Sequence, residues 1–203
     1  MTSLRQRLAE GSHWGLLGGA FDPPHRGHTR LAVELCGRAR LDGAIFVPTA
    51  HPAHRPGSVA GFDDRLEMTG LACDGENRFF VSDIERDIPP PTFTIRVIEV
   101  LRDRCPDVRF SVLIGTDNLR ILPEWREIDR LVRIAPVIVG ARPGEKREFS
   151  IPDRLRDFVT TFEIEGLEIS SSEIRRRVSE GLSIESLVTP AVSEHIRRRR
   201  LYL

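Results

Sequence analysis

The stretch Leu16–His28 reads LLGGAFDPPHRGH, and it is the segment that most strongly indicates the fold of the chain. An apolar run meets two glycines, an acidic residue, two prolines and two histidines, and a helical pattern then begins. A strand, a glycine turn and a helix commonly handle phosphate, because glycines let the backbone turn sharply near a ligand and a helix start offers N–H groups. If the helix begins near Arg26, His25 and His28 face one site. The stretch predicts a polyphosphate site, and a plain junction with solvated histidines is the alternative.

The composition is typical of one globular domain. The chain has 203 residues, 30 Lys+Arg balanced by 30 Asp+Glu, and 40% apolar residues. This length suits a single core, so we expect one domain over residues 1–203, with 1–12 as a short N-terminal arm. Balanced charge gives no field that attracts nucleic acid, and no apolar run approaches the ~20 residues of a membrane helix. We therefore expect neither a nucleic-acid nor a membrane partner.

Two features bear on location. The first residues lack the apolar core of a signal peptide. Cys36, Cys73 and Cys105 are scattered, with no metal-ligand spacing and no disulfide framework. Both features favour a reducing cytoplasm. The sequence leaves monomer and homodimer open.

Apolar runs alternate with helical patterns along the chain. Strands are predicted at 13–17, 44–47, 79–81, 108–114, 135–139 and 158–164. Helices are predicted at 27–38, 62–73, 92–104, 119–131 (interrupted by Pro123), 170–179 and 190–200. Thr92 or Thr94 is expected to cap the third of these helices. Several strands are almost wholly apolar, as in a parallel sheet covered on both faces. The chain is therefore predicted to be a single doubly wound, Rossmann-like α/β domain with a mainly parallel sheet.

Three polar segments each follow a predicted strand, at residues 18–19, 115–117 and 140–142. In doubly wound folds, ligands bind at the carboxyl ends of the strands, so these segments should meet at one cleft. Asp117 is a candidate for the ribose hydroxyls of a nucleotide. It is alternatively the N-cap of the next helix.

A second candidate lies at Ile169–Arg175, which reads ISSSEIR. Serines before a helix cap it, and their hydroxyl and N–H groups can hold phosphate. Arg175 lies early in that helix, where its planar fork could reach the same anion. An ordinary serine cap with solvated arginines is the alternative.

Both segments match known signatures. Residues Gly18–His28 fit GGxFDPxHxGH, and the chain thereby resembles the nucleotidyltransferase superfamily built around the HxGH motif. Ile169–Arg175 resembles the second signature of that superfamily, ISSTxxR, with Ser172 in place of threonine. A hydroxyl is retained at that position. The two signatures stand in the expected order.

Five other short sequence segments are similar to motifs of one family, the bacterial nicotinate-nucleotide adenylyltransferases. These segments are His51–Pro56, Thr92-Phe93-Thr94, Leu113–Asp117, Pro123-Glu124-Trp125 and Arg142-Pro143-Gly144. Two of them depart from the usual pattern, because Ala53 replaces a proline and Phe93 replaces a tyrosine. The resemblance extends from about Leu16 to the C-terminus.

The resemblance implies transfer of the adenylyl group of ATP to nicotinic acid mononucleotide. It implies His25 and His28 as catalytic residues, and Mg²⁺ held mainly by ATP phosphates with no protein ligand named. The implied ATP site comprises Gly18, Gly19, Phe21, His25, His28, Gly115, Asp117, Ile169, Ser171, Ser172 and Arg175. The implied acceptor site comprises Ala20, Thr92, Phe93, Thr94, Trp125, Arg142, His54 and Arg55.

The residue chemistry suits these roles. Trp125 is the widest flat partner for a pyridine ring, although it could equally be a core residue. Thr92, Thr94 and the N–H groups at their helix start are candidate donors to the pyridine carboxylate. Arg55 and Arg142 could neutralise phosphate, and solvated loop arginines are the alternative.

Three other functions remain open. One is another HxGH adenylyltransferase, acting on phosphopantetheine or nicotinamide mononucleotide. Another is a dinucleotide-dependent oxidoreductase, which the absence of G-x-G-x-x-G disfavours. The third is a nucleotide sensor or nucleic-acid binder, and the basic run Arg197–Arg200 is its only support in the sequence.

Overall fold

The computed structural model describes residues 8, 11–50, 60–141, 151–165 and 168–203. The sites expected at His54, Arg55 and Arg142 lie outside these residues. The strands are β1 His13–Gly19, β2 Gly43–Pro48, β3 Phe79–Val81, β4 Arg109–Gly115, β5 Val137–Ala141 and β6 Val159–Glu163. The helices are α1 Arg26–Arg38, α2 Phe62–Cys73, α3 Thr94–Arg104, α4 Thr116–Ile121, α5 Ile128–Ile134, α6 Asp153–Arg156, α7 Ser171–Ser179 and α8 Pro190–Arg199. Single 3₁₀ turns lie at Ile84–Asp87 and Leu122–Glu124.

The six strands form one sheet in the order β3-β2-β1-β4-β5-β6, and every neighbouring pair is parallel. The predicted doubly wound α/β fold is confirmed. The central strands are buried along their length because helices cover both faces, which explains their continuous apolar runs. The edge strand β6 is more exposed, in keeping with its polar threonines.

Successive side chains of a strand point to opposite faces of the sheet, so each strand contributes to the core on both faces. Along β1, Leu16 joins a core cluster with α3 and α5, whereas Leu17 joins a second cluster with α1. Helix α1 buries Ala32, Leu35 and Cys36, which share one helical face. A third cluster joins α2 to α8 at the C-terminus.

Some predicted elements were wrong in extent. Strand β1 continues through both glycines, because its pairing with β2 runs on to Gly19 opposite Pro48. The helix predicted at 119–131 is divided into α4, a 3₁₀ turn and α5. Pro123 lies in the turn, where its missing N–H breaks the helical ladder. Other bounds shift by one or two residues, and the one-turn helix α6 was not anticipated.

Candidate active site

The sheet places the candidate site at its switch point. Strands β1 and β4 are neighbours, and the chain leaves them in opposite directions, so a crevice opens at their carboxyl ends. Gly115 ends β4 opposite Gly140 of β5, and it is the N-cap of α4. Asp117 is therefore not the N-cap, as the alternative interpretation supposed. It is exposed in the first turn of α4, beside the crevice.

The turn after β1 is not made by the glycines. Neither Gly18 nor Gly19 has a positive φ, whereas Phe21 adopts φ of 49°. A Cβ on Gly19 would lie 3.3 Å from the Phe21 ring, so this glycine permits close packing. Gly18 is exposed, with nothing within 4 Å of an added Cβ. The expected sharp glycine turn is thus wrong, but the open backbone beside Gly18 suits the approach of a ligand.

The two histidines form a stacked pair at the start of α1. His25 is the N-cap, and the His25 and His28 ring centroids lie 3.7 Å apart at 23°. The Phe21 ring meets His28 edge-on, with centroids 5.0 Å apart. His25 is 7% exposed, whereas His28 is partly exposed. The motif spacing therefore does bring both imidazoles to one place, as predicted.

Burial keeps both imidazoles neutral near pH 7. It lowers the pKa of His25 to about 4. Burial, and then the neighbouring His25, lower the pKa of His28 well below its ordinary value. The backbone N–H of His25 donates to Nδ1 of His28 at 3.2 Å, so neutral His28 carries its proton on Nε2. The loop thus makes the Nε2–H of His28 a hydrogen-bond donor.

The second signature docks onto the first. Ser170 caps α7 by accepting from the Glu173 N–H, which confirms the predicted serine cap. The Ser171 hydroxyl donates to the Pro23 carbonyl at 2.8 Å, and Arg175 Nη1 donates to the Asp22 carbonyl at 2.7 Å. Arg175 Nη2 reaches the Ser172 hydroxyl at 3.3 Å, and Ile169 packs against the core of α2 and α8. Arg175 has further N–H groups beside the histidine loop, since a guanidinium carries five donors.

The structure adds a buried polar network that the sequence did not reveal. The Asp22 carboxylate accepts from the Tyr202 hydroxyl at 2.7 Å and from the Ala60 N–H at 3.2 Å. Burial and the Asp22 carboxylate raise the pKa of Tyr202 above its ordinary value. Arg65 and Glu85 are buried nearby. One sequence signal could have indicated Arg65: it shares helical spacing with the buried residues of α2.

The expected acceptor residues Thr92, Phe93 and Thr94 lie at the start of α3. Neither Thr92 nor Thr94 caps α3, because Phe93 is its N-cap and no side chain accepts there. Thr92 is buried, and its Oγ1 completes no hydrogen bond with a described residue. That hydroxyl nevertheless lies close enough to the Glu85 carboxyl to interact with it, which lowers the pKa of Glu85. Trp125 packs against the core and is partly exposed, so it is not a fully buried core tryptophan.

A separate cavity of about 260 Å³ lies next to this region. Its lining residues are Ile88, Pro89, Pro91, Phe93, Ile95, Arg96, Arg126 and Glu127. Neither histidine of the motif lines it. Phe93, which the resemblance implies as an acceptor residue, does line it.

Glu85 predicts a pH-dependent stability. Burial raises the pKa of its carboxyl from 4.5 to about 7. The folded state therefore binds the proton of Glu85 more tightly than the unfolded state does. This proton binding stabilises the folded state fully below pH 4.5, and the stabilisation is lost as the pH rises through about 7. We expect the unfolding free energy of the wild type, relative to Glu85→Gln, to fall by roughly 3 kcal/mol between pH 5 and 8. Urea denaturation of both proteins measures it, and a constant difference would contradict the burial of this carboxyl.

Among the described residues, no cluster of three or more His, Cys, Asp or Glu side chains could hold a metal ion. No helix in that part of the chain is long and apolar enough to cross a membrane.

Comparison with known proteins gives the family. Residues 16–177 match the family model described as cytidylyltransferase-like. A probable nicotinate-nucleotide adenylyltransferase of Shouchella clausii is 42% identical over 190 residues, covering 93% of this chain and 95% of that protein. One of Synechococcus is 36% identical over 194 residues, covering 93% and 94%.

A solved structure shows the same fold. It is the nicotinic acid mononucleotide adenylyltransferase of Plasmodium falciparum complexed with NaAD, with a TM-score of 0.76 and 20% identity. The match covers 94% of this chain and 97% of that one. With both signatures in contact at the switch point and relatives this similar over most of their length, the chain belongs to the nicotinate-nucleotide adenylyltransferase family of cytidylyltransferase-like enzymes.

Proposed function

We propose that this enzyme transfers the adenylyl group of ATP to nicotinic acid mononucleotide, giving nicotinic acid adenine dinucleotide and pyrophosphate. The carrying observation is the contact between the two signatures, where Ser171 and Arg175 bond to the backbone just before the stacked histidines. That contact gathers hydroxyl, guanidinium and imidazole donors at one crevice, which suits a triphosphate. The relatives named above support the choice of acceptor.

The mechanism we propose is direct in-line attack. The acceptor phosphate attacks the α-phosphorus of ATP as pyrophosphate leaves, so no nucleophilic side chain is needed. Catalysis then depends on positioning and on donors aimed at developing charge. His25 and His28 serve as neutral N–H donors to the phosphates, since both pKa values are lowered. Mg²⁺ enters as part of the Mg–ATP substrate, with phosphate oxygens and water as its main ligands.

The acceptor is proposed to lie between Thr92 and Trp125. The buried Thr92 hydroxyl beside the Glu85 carboxyl and the partly exposed Trp125 support this placement. The ring stacks on the pyridine, and Thr92 with the α3 start binds its carboxylate. Cytoplasmic location remains the expectation drawn from the scattered cysteines.

The deciding experiment measures pyrophosphate release from Mg–ATP with a panel of acceptor phosphates. The panel holds nicotinic acid mononucleotide, nicotinamide mononucleotide and phosphopantetheine. The proposal expects the highest kcat/KM for the first. A maximum for phosphopantetheine would assign the enzyme to another HxGH activity, and ATP binding without pyrophosphate release would indicate a sensor.

Arg175 provides a test of the ATP site. Arg175→Ala removes a charge-assisted donor to the outer phosphates, so ATP affinity should weaken by about 1.5–3 kcal/mol. AMP lacks those phosphates and should bind the variant and the wild type alike. Titration calorimetry with both nucleotides measures the effect. An equal loss for AMP would show that Arg175 acts only through its bond to the Asp22 carbonyl.

A further inference from the structure

Arg65 is a buried cation whose donors reach three backbone segments. It lies on α2 with 2% of its surface exposed. Its Nη1 donates to the Ala20 carbonyl at 2.7 Å, and its Nη2 to the Thr49 carbonyl at 2.8 Å. Its Nε donates to the Ala60 carbonyl at 3.2 Å. One rigid side chain thus joins the loop after β1, the end of β2 and the approach to α2.

Two buried carboxyl groups accept hydrogen bonds from N–H groups of the same backbone segments. Glu85 accepts from the Ala50 N–H at 2.9 Å, and this N–H belongs to the same peptide unit as the Thr49 carbonyl. Asp22 accepts from the Ala60 N–H at 3.2 Å, so both polar groups of Ala60 are bonded as well. In sequence, Thr49 and Ala60 flank residues 51–59, which include His54 and Arg55.

The arrangement depends on guanidinium chemistry. Burial lowers the pKa of Arg65, and the nearby Asp22 and Glu85 partly restore it, so the side chain stays a cation near pH 7. Its planar fork presents donors in fixed directions, whereas lysine offers a compact charge on a flexible stem. Lysine could keep the charge but could not hold three carbonyls with this spacing.

We propose that Arg65 is a positioning residue for adenylyl transfer, setting the spacing between the backbone at Ala20 and the backbone at Thr49 and Ala60. Ala20 begins the loop that ends in the two histidines, so a shift there moves the phosphate donors. The inference rests on the proposed function. The competing explanation is that Arg65 only stabilises the packing of α2.

The main test compares Arg65→Lys with a matched control on the same helix. His195 is 1% exposed, and its Nε2 and Nδ1 lie 3.1 and 3.2 Å from carboxylates of Asp64 and Glu67 on α2. His195→Gln should therefore weaken the packing of α2 against α8, and neither of these two contacts involves Ala20, Thr49 or Ala60. For each protein we would measure Tm, and then kcat and KM well below the lower Tm.

The expected result separates stability from turnover. Arg65→Lys should lower kcat about 10–100-fold, the scale of a small misplacement of reacting groups. His195→Gln should lower Tm and leave kcat within about twofold of the wild type. Equal kcat for Arg65→Lys and the wild type, with only Tm lowered, would overturn the positioning role. A wild type that releases no pyrophosphate would instead defeat the proposed function, so the two failures are distinguishable.

If Arg65→Lys does not fold, variants of Glu85 test the same backbone position, because Glu85 bonds the peptide unit whose carbonyl Arg65 binds. Glu85→Ala removes the acceptor for the Ala50 N–H and should lower kcat/KM for the acceptor about fivefold or more, the scale of one lost hydrogen bond. Glu85→Gln keeps an oxygen for that N–H and should recover most of the loss. Unchanged kcat/KM in Glu85→Ala would overturn the proposal.

Discussion

Replacing His28 with alanine should lower kcat by about 10²–10³, the scale for one lost donor at developing charge. The bond from the His25 N–H to Nδ1 leaves Nε2–H as the donor of neutral His28, and we propose that it binds the phosphates. That donor counts most as charge develops on the phosphates, so ATP affinity should change much less than kcat. Steady-state kinetics and ATP titration measure the two quantities. A variant that kept more than about a tenth of wild-type kcat, a shift under ~1.4 kcal/mol, would remove His28 from its role.

Two controls isolate the donor. His28→Asn keeps a short side chain that can accept from the His25 N–H, yet it shifts the donor, so kcat should stay low. His13→Ala removes a histidine that lies outside the motif. His13 lies at the amino end of β1, where it bonds to the Ser111 hydroxyl at 2.9 Å, and kcat should be unchanged.

The wild type should prefer nicotinic acid mononucleotide to the amide by about 10–150-fold in kcat/KM. The acid carboxylate gains one or two charge-assisted bonds at the α3 start, whereas the amide brings an NH₂ that those donors cannot satisfy. The structure also places the Glu85 carboxyl beside Thr92, a long-range contact that the sequence did not predict. Kinetics with both acceptors measure the ratio. Equal use of acid and amide would refute this acceptor site and indicate a dual-specificity enzyme.

Trp125→Ala tests the other wall of the proposed acceptor site. It should raise KM for both acceptors and spare ATP, because stacking on a flat ring does not depend on the charge of the ring substituent. Trp14→Phe is the matched control, since Trp14 is buried in β1 and packs in the core. A loss of ATP affinity in Trp125→Ala would instead place this ring near the nucleotide.

Local patterns were enough to predict the architecture. Continuous apolar runs predicted buried parallel strands, and the helical patterns between them predicted the helices that cover the sheet. Element ends were less predictable, because partners decide them. Pairing with β2 extended β1 across its glycines, and Phe93 rather than a threonine became the N-cap of α3.

The candidate site divides in the same way. The sequence by itself determined the family signatures, the cap at Ser170 and the short-range meeting of His25 with His28, since all depend on nearby residues. Their roles in catalysis stay predictions.

Only the tertiary structure decided the long-range contacts. It brought Arg175 to the Asp22 carbonyl, Tyr202 to the Asp22 carboxylate, and Arg65 to the backbone of three segments. It also lowered the pKa of both histidines and raised that of Glu85. The physical reason is that burial and non-local hydrogen bonds set these properties, and both arise only when segments distant in sequence pack together.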